Sequence, residues 1–170
     1  MLLTTSSLQS TKIDKWSSAT KMAKGLSNNY VSWVCKNIFG SSFLGVFPCD
    51  IHPTSKRRKF SLIFNTGDSE TPGEHFVALY LQNETLFYFD PLGEKPNDEN
   101  IIKFILNQKH KRFIVWKKQI QHENSTYCGF FCIAFLLSKY KKITTFSRNF
   151  NVTNNQENNK KIVDFITAHI

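Results

Sequence analysis

The sequence predicts a single α+β domain whose mostly antiparallel central sheet is packed by helices. Three observations predict it. Residues 59–90 hold three short runs rich in β-branched and aromatic residues, and a fourth follows at 112–119, with stretches of helical periodicity before, between and after. Hydrophobic residues make up 41% of a 170-residue chain that carries 16 Phe, enough for one domain core but cramped for two. Residues 128–140, CGFFCIAFLLSKY, are apolar nearly all round, as suits a helix buried at the centre of a domain.

The elements follow in order. Residues 1–26 are Ser/Thr/Lys-rich with little periodicity, so a loosely ordered N-terminal segment anchored by Trp16 is expected there, with one domain over 27–170. In SNNYVSWVCKNIF, Tyr30, Val31, Val34, Cys35 and Ile38 recur at helical spacing behind a Ser or Asn cap, and Gly40 ends the run. SSFLGVFPCDIHP, punctuated by Gly45, Pro48 and Pro53, reads as a structured loop. KFSLIF (59–64), HFVALYLQ (75–82), TLFYFD (85–90) and RFIVWKKQ (112–119) read as strands. Between the last two, Asn97 or Asp98 caps a helix with Ile101, Ile102, Ile105 and Leu106 on its apolar face. QENNKKIVDFITAHI closes the chain as an amphipathic helix with Ile162, Val163, Phe165 and Ile166 inward.

The net charge of +9 is concentrated in clusters such as KRRK (56–59) and KHKR (109–112). That favours a polyanion such as nucleic acid, against the plainer reading of a solvated basic exterior. The N-terminus has neither a basic n-region nor a sustained apolar stretch, so a secretory leader is not expected, and the run from Cys128 to Leu137 is too short to span a bilayer. Cys35, Cys49, Cys128 and Cys132 are accordingly expected as free thiols of an intracellular chain. A zinc site drawing on Cys35, Cys49 and His52 lacks any paired C-x-x-C, and no metal is expected.

The chemistry gathers around Cys128. A helix starting there sets the thiol against free N–H groups and the positive end of the helix dipole, which favours thiolate. Gly129 then leaves room for a substrate backbone. Alone, such a cysteine is more commonly a small buried hydrophobe. Three other residues change the balance. The strands at 75–82 and 85–90 are joined by Asn83-Glu84; with those two as the loop, Val77 faces Asp90 and His75 lies diagonally beside it on the same side. A carboxylate beside an imidazole fixes its tautomer and stabilises the imidazolium. Finally, Gln121, seven positions before Cys128 at the end of the fourth strand, can donate to an oxyanion alongside the Cys128 backbone N–H, with Gln119 as its competitor.

GEHFVALYLQNETLFYFDPLG (73–93) followed by QHENSTYCGFFC (121–132) resembles the adenain family, the cysteine proteases that mature adenovirus particles, with virophage and Polinton-type enzymes alongside and SUMO-protease-like enzymes more distant. FLGVFPCD (43–50) fits the same pattern, and the likeness covers roughly residues 27–140. The resemblance implies a cysteine endopeptidase domain in which His75 is the general base, Asp90 orients it, Gln121 lines the oxyanion hole and Cys128 is the nucleophile. The family spacing favours Gln121 over Gln119. Capsid or core precursor proteins are the implied substrates, in the virion and the infected-cell interior. DNA is the implied activator and partner, bound without sequence preference, for which Lys56, Arg57, Arg58 and Lys59 are the candidate contacts.

The chain departs from the pattern in places. Phe76 replaces the family's Trp, and KHKRFIVWKK lacks the cysteine that bonds an activating peptide in adenovirus enzymes, so that disulfide is not expected. Tyr127 stands where the desumoylating branch has Asp. Two rival functions stay open: a protease for ubiquitin-like modifiers, and a non-enzymatic basic nucleic-acid-binding protein.

Overall fold

The computed structural model describes residues 25–71, 73–153 and 155–170; the expected N-terminal segment with Trp16 lies almost wholly outside them. Helix α1 (Asn28–Phe39) opens the described chain. The Ser27 side chain accepts from the Tyr30 amide and caps it, and Gly40, at φ 60°, ends it.

A five-stranded sheet follows in the order β1-β2-β3-β4-β5, made of β1 (Phe43–Pro48), β2 (Phe60–Asn65), β3 (Phe76–Gln82), β4 (Thr85–Phe89) and β5 (Arg112–Val115). Its two inner ladders are antiparallel and its two outer ladders parallel, so the sheet is mixed rather than mostly antiparallel. The reason lies in the connections. β3 and β4 are joined by a tight turn, whereas helix α2 (Glu99–Leu106), capped by Asp98, intervenes before β5 and returns the chain in the same direction.

The loop expected over 41–53 is replaced in part by β1. Gly45 and Pro48 suggest a loop, but β1 is an edge strand, where a proline at the end forfeits little. Gly45 sits where the register with β2 shifts between Phe43 and Val46. The strand expected over 112–119 also stops early, at Val115. Beyond Trp116, whose amide still reaches the Tyr88 carbonyl, the chain turns onto Pro91, whose carbonyl accepts from the amides of both Ile120 and Gln121.

The central strands β2, β3 and β4 are buried on both faces, while β5 is largely exposed. Phe60, Leu62 and Phe64, with Val77, Leu79 and Leu81, pack against Ile101, Phe104 and Ile105 of α2. The alternate residues Ile63, Phe76, Ala78 and Tyr80 pack beneath α1 and helix α3 (Cys128–Tyr140). Helix α4 (Asn158–His169) lies against α3 and buries Ile162, Phe165 and Ile166, while Val163 is half-buried. Phe146 joins Phe89, Trp116, Phe135, Phe150 and Phe165 in one aromatic cluster that ties α4 to the sheet.

Candidate active site

The β3–β4 hairpin carries two of the candidate groups. Asn83 and Glu84 both take positive φ, 51° and 58°, the geometry of the two-residue turn whose twist matches the strands. The resulting register pairs Leu81 with Leu86 and Ala78 with Phe89. His75 just precedes β3 and Asp90 just follows β4, so both stand at the same end of the sheet. His75 Nε2 meets Asp90 Oδ1 at 2.9 Å. That carboxylate is 4% exposed, and its Oδ1 also accepts from the Leu92 amide at 2.8 Å. The His75 carbonyl in turn accepts from Thr66 N at 2.8 Å, which fixes the backbone on its other side.

Cys128 is the first residue of α3, behind Tyr127, which makes no side-chain cap bond to the helix. The N–H groups of the first turn therefore keep their capacity for another acceptor. Cys128 is half-buried, whereas Cys35, Cys49 and Cys132 are buried. Burial of the His75 imidazole opposes its charging, but hydrogen bonds to Asp90 and to Cys128, with the charges of both, outweigh it and raise its pKa to about 10. With Nε2 on Asp90, Nδ1 is the nitrogen left for Cys128. An imidazole held between a carboxylate and a thiol suits nucleophilic chemistry.

Gln121 is 2% exposed and lies in the irregular segment after β5, not at a strand end. Its Nε2 donates to the Ser125 carbonyl at 2.7 Å, and its Oε1 is buried without a partner. Gln119 instead donates to the Gln121 carbonyl at 3.3 Å. A cleft of about 770 Å³ brings His75, Gln121 and Cys128 to one surface, and Gln119 does not line it.

Gly129 has a different place from the one expected. It is buried, and a Cβ there would lie 3.2 Å from Val31 Cγ2 and 3.3 Å from Leu26 Cβ. It serves the close approach of α3 to α1 and to Leu26 just ahead of it, rather than room for a substrate. Sequence reasoning missed Asn65, which also lines the cleft. It is buried, accepts from the Gly67 and Glu74 amides on Oδ1 and donates to Asn28 Oδ1 at 3.0 Å. Its one signal was an amide side chain closing a strand, FSLIFN, that is apolar elsewhere except at Ser61.

The basic cluster lies elsewhere. Lys56, Arg57 and Arg58 line a second cleft of about 830 Å³ with Lys109, near the far end of β3. Arg57 is also bound to the Ser41 carbonyl, and Lys59 Nζ stands 4.7 Å above the Tyr140 ring. Among the described residues no three His, Cys, Asp or Glu side chains gather to hold a metal, and Cys35 and Cys49 belong to cores on opposite faces of the sheet. No helix of the described residues is long and apolar enough to cross a membrane.

The sequence profile of the adenovirus endoprotease family matches residues 43–164, well over half of the chain. The chain belongs to the adenovirus endoprotease family. Among its relatives, the protease of snake adenovirus serotype 1 is 32% identical over a match covering 56% of this chain and 55% of that protein. The protease of bovine adenovirus 7 is 35% identical, with 58% and 56% covered. The matched region thus spans little more than half the length of these endoproteases. A crystal structure of the selenomethionine ASFV pS273R protease aligns over 89% of this chain and 70% of that one, with a TM-score of 0.57 and 14% identity. It shares the fold of this endoprotease-family chain.

Proposed function

We propose that the protein is a cysteine endopeptidase that cleaves capsid or core precursor proteins as virus particles mature, acting inside the particle and the infected cell. The observation that carries this is the placement of His75 between Asp90 and Cys128 beside one cleft, with Gln121 in its wall. Cys128 reacts as thiolate beside the His75 imidazolium. The sulfur attacks the scissile carbonyl carbon, and its oxygen takes the negative charge facing the Cys128 N–H and the Gln121 amide. His75 then gives its proton to the leaving amine and an acyl-enzyme remains. Water, deprotonated by His75, attacks the thioester and releases the new carboxylate and Cys128. Asp90 holds the imidazole with Nδ1 toward sulfur and supports its charge throughout.

Incubation with candidate precursor proteins, followed by mapping of new termini, tests the activity. New termini with the wild-type protein and none with Cys128→Ala are expected. Full cleavage by Cys128→Ala sinks the proposal.

The same proposal extends to DNA as a sequence-independent partner. Lys56, Arg58 and Lys109, gathered on one cleft away from the active site, support it, since a duplex held there leaves the catalytic end free.

A further inference from the structure

The segment that carries Gln121 has no regular secondary structure from 116 to 127, yet an oxyanion donor works only if held rigidly. What holds it comes from the start of α4 and from the short 3-10 turn, Asn155–Glu157, that leads into it. Asn158 is fully buried; its Nδ2 donates to the Ile120 carbonyl at 2.8 Å and to the Asn151 carbonyl at 2.6 Å, and its Oδ1 accepts from the Asn151 amide at 3.0 Å. Asn155 Nδ2 donates to the carbonyl of Gln121 itself at 3.2 Å. Asn159 Oδ1 accepts from the Ser125 hydroxyl at 2.9 Å, and Ser125 is the residue whose carbonyl receives the Gln121 side chain. The Ser125 hydroxyl oxygen also accepts from the Tyr127 amide, one residue before Cys128.

Asn155 opens the 3-10 turn while Asn158 and Asn159 open α4, and all three side chains bond to the segment. They grip it immediately before Gln121, at Gln121 and at Ser125. None of the three is in the cleft lining. A helix packed only to fill the core would present apolar residues here, and burying an asparagine is unfavourable unless its polar atoms are used.

We propose that Asn155, Asn158 and Asn159 are positioning residues, and that the start of α4, with the 3-10 turn before it, clamps the oxyanion segment in the geometry the acyl-transfer step needs. The inference rests on the peptidase mechanism above. It acts through Gln121 and leaves the His75–Cys128 pair untouched.

The decisive variants are at Asn159, half-buried and so tolerant of change. Asn159→Leu removes the acceptor of the Ser125 hydroxyl, while Asn159→Asp retains one. Asn159→Leu should lower kcat about 10-fold or more with KM within about twofold, as weakening of one oxyanion donor does. Asn159→Asp should recover most of the rate. Alkylation of Cys128 by iodoacetamide, which reads the thiolate and not the oxyanion donors, should be unchanged in both. In a Gln121→Ala background, Asn159→Leu should cost less than about twofold, because the residue it positions is already gone. Amide exchange over residues 120–128 should rise in Asn159→Leu, with β2 and β3 unchanged.

Additive losses in the double variant, or equal loss of alkylation, would overturn the clamp in favour of a general packing role. Exchange unchanged over 120–128 would overturn it as well. If the wild-type protein neither cleaves nor shows preferential alkylation at Cys128, the peptidase mechanism falls, and the exchange comparison still decides whether α4 holds the segment.

Discussion

The charge on His75 sets expectations for both activity and stability. Its pKa is raised to about 10 in the folded chain from an ordinary 6.5. The stability contributed by its proton is therefore fully present below 6.5 and is lost as pH rises through about 10. Activity should fall over the same upper window as the imidazolium disappears. Asp90→Asn keeps an acceptor but removes the negative charge, so the alkaline limb of kcat/KM should move to lower pH and the rate should fall, with measurable activity left. A pH–rate profile identical to wild type would remove Asp90 from the site. Gln121→Ala should lower kcat by about 10²–10³ with little change in KM, while Gln119→Ala, which loses a bond to the Gln121 backbone only, should do far less. Steady-state kinetics on a cleaved peptide separates the two. The pairing of His75 with Asp90 was legible in the sequence, because a two-residue loop admits one register. The choice between Gln119 and Gln121 was settled there only by family spacing. In the fold, the turn of the chain onto Pro91 sends Gln121 into the cleft and leaves Gln119 out.

At the scale of elements, the packing of α3 on α1 hangs on Gly129. Any larger side chain there must displace Val31 and Leu26. Gly129→Leu should therefore destabilise the fold by about 1–3 kcal/mol, the usual cost of overpacking, as read by urea denaturation. A stable variant with raised KM would instead restore the idea that this glycine makes room for substrate. Gly93 is a second such point: φ is 79°, and a Cβ would lie 2.8 Å from the Gln119 amide nitrogen. Gly93→Ala should disturb the approach to Gln121 and lower kcat as well as stability. The helices and the inner strands were readable because their apolar residues keep helical spacing or form continuous β-branched and aromatic runs. β1 was not, because Gly45 and Pro48 carry the same local signal in a bulged edge strand as in a loop. The early end of β5 was hidden for a related reason. RFIVWKKQ keeps strand character in its side chains, while the carbonyl that draws its backbone away belongs to Pro91, distant in sequence.

Across the whole molecule, the fold separates its candidate surfaces. The candidate catalytic groups gather where β3 begins, and the basic cleft lies near where β3 ends. Fluorescence anisotropy with unrelated duplexes should show binding that weakens steeply with salt. Charge reversal at Lys56, Arg58 and Lys109 should lower the slope of log K against log salt by about 0.9 for each phosphate no longer neutralised. Arg57 and Lys59 are poorer choices for that test, since Ser41 and the Tyr140 ring already engage them. Salt-insensitive binding, or none at low salt, would reduce the +9 charge to a solvated exterior.

The two-residue turn at Asn83-Glu84 also bears on the order in which the chain becomes reactive. A hairpin closed by so short a loop forms in about 1–10 μs, so base and acid can meet as soon as their own strands pair. Cys128 comes from a distant helix whose docking closes a much larger loop, and that step is slower. Until α3 docks, Cys128 stands apart from the His75 imidazole. On the mechanism proposed above, the chain gains its peptidase site only when α3 has docked.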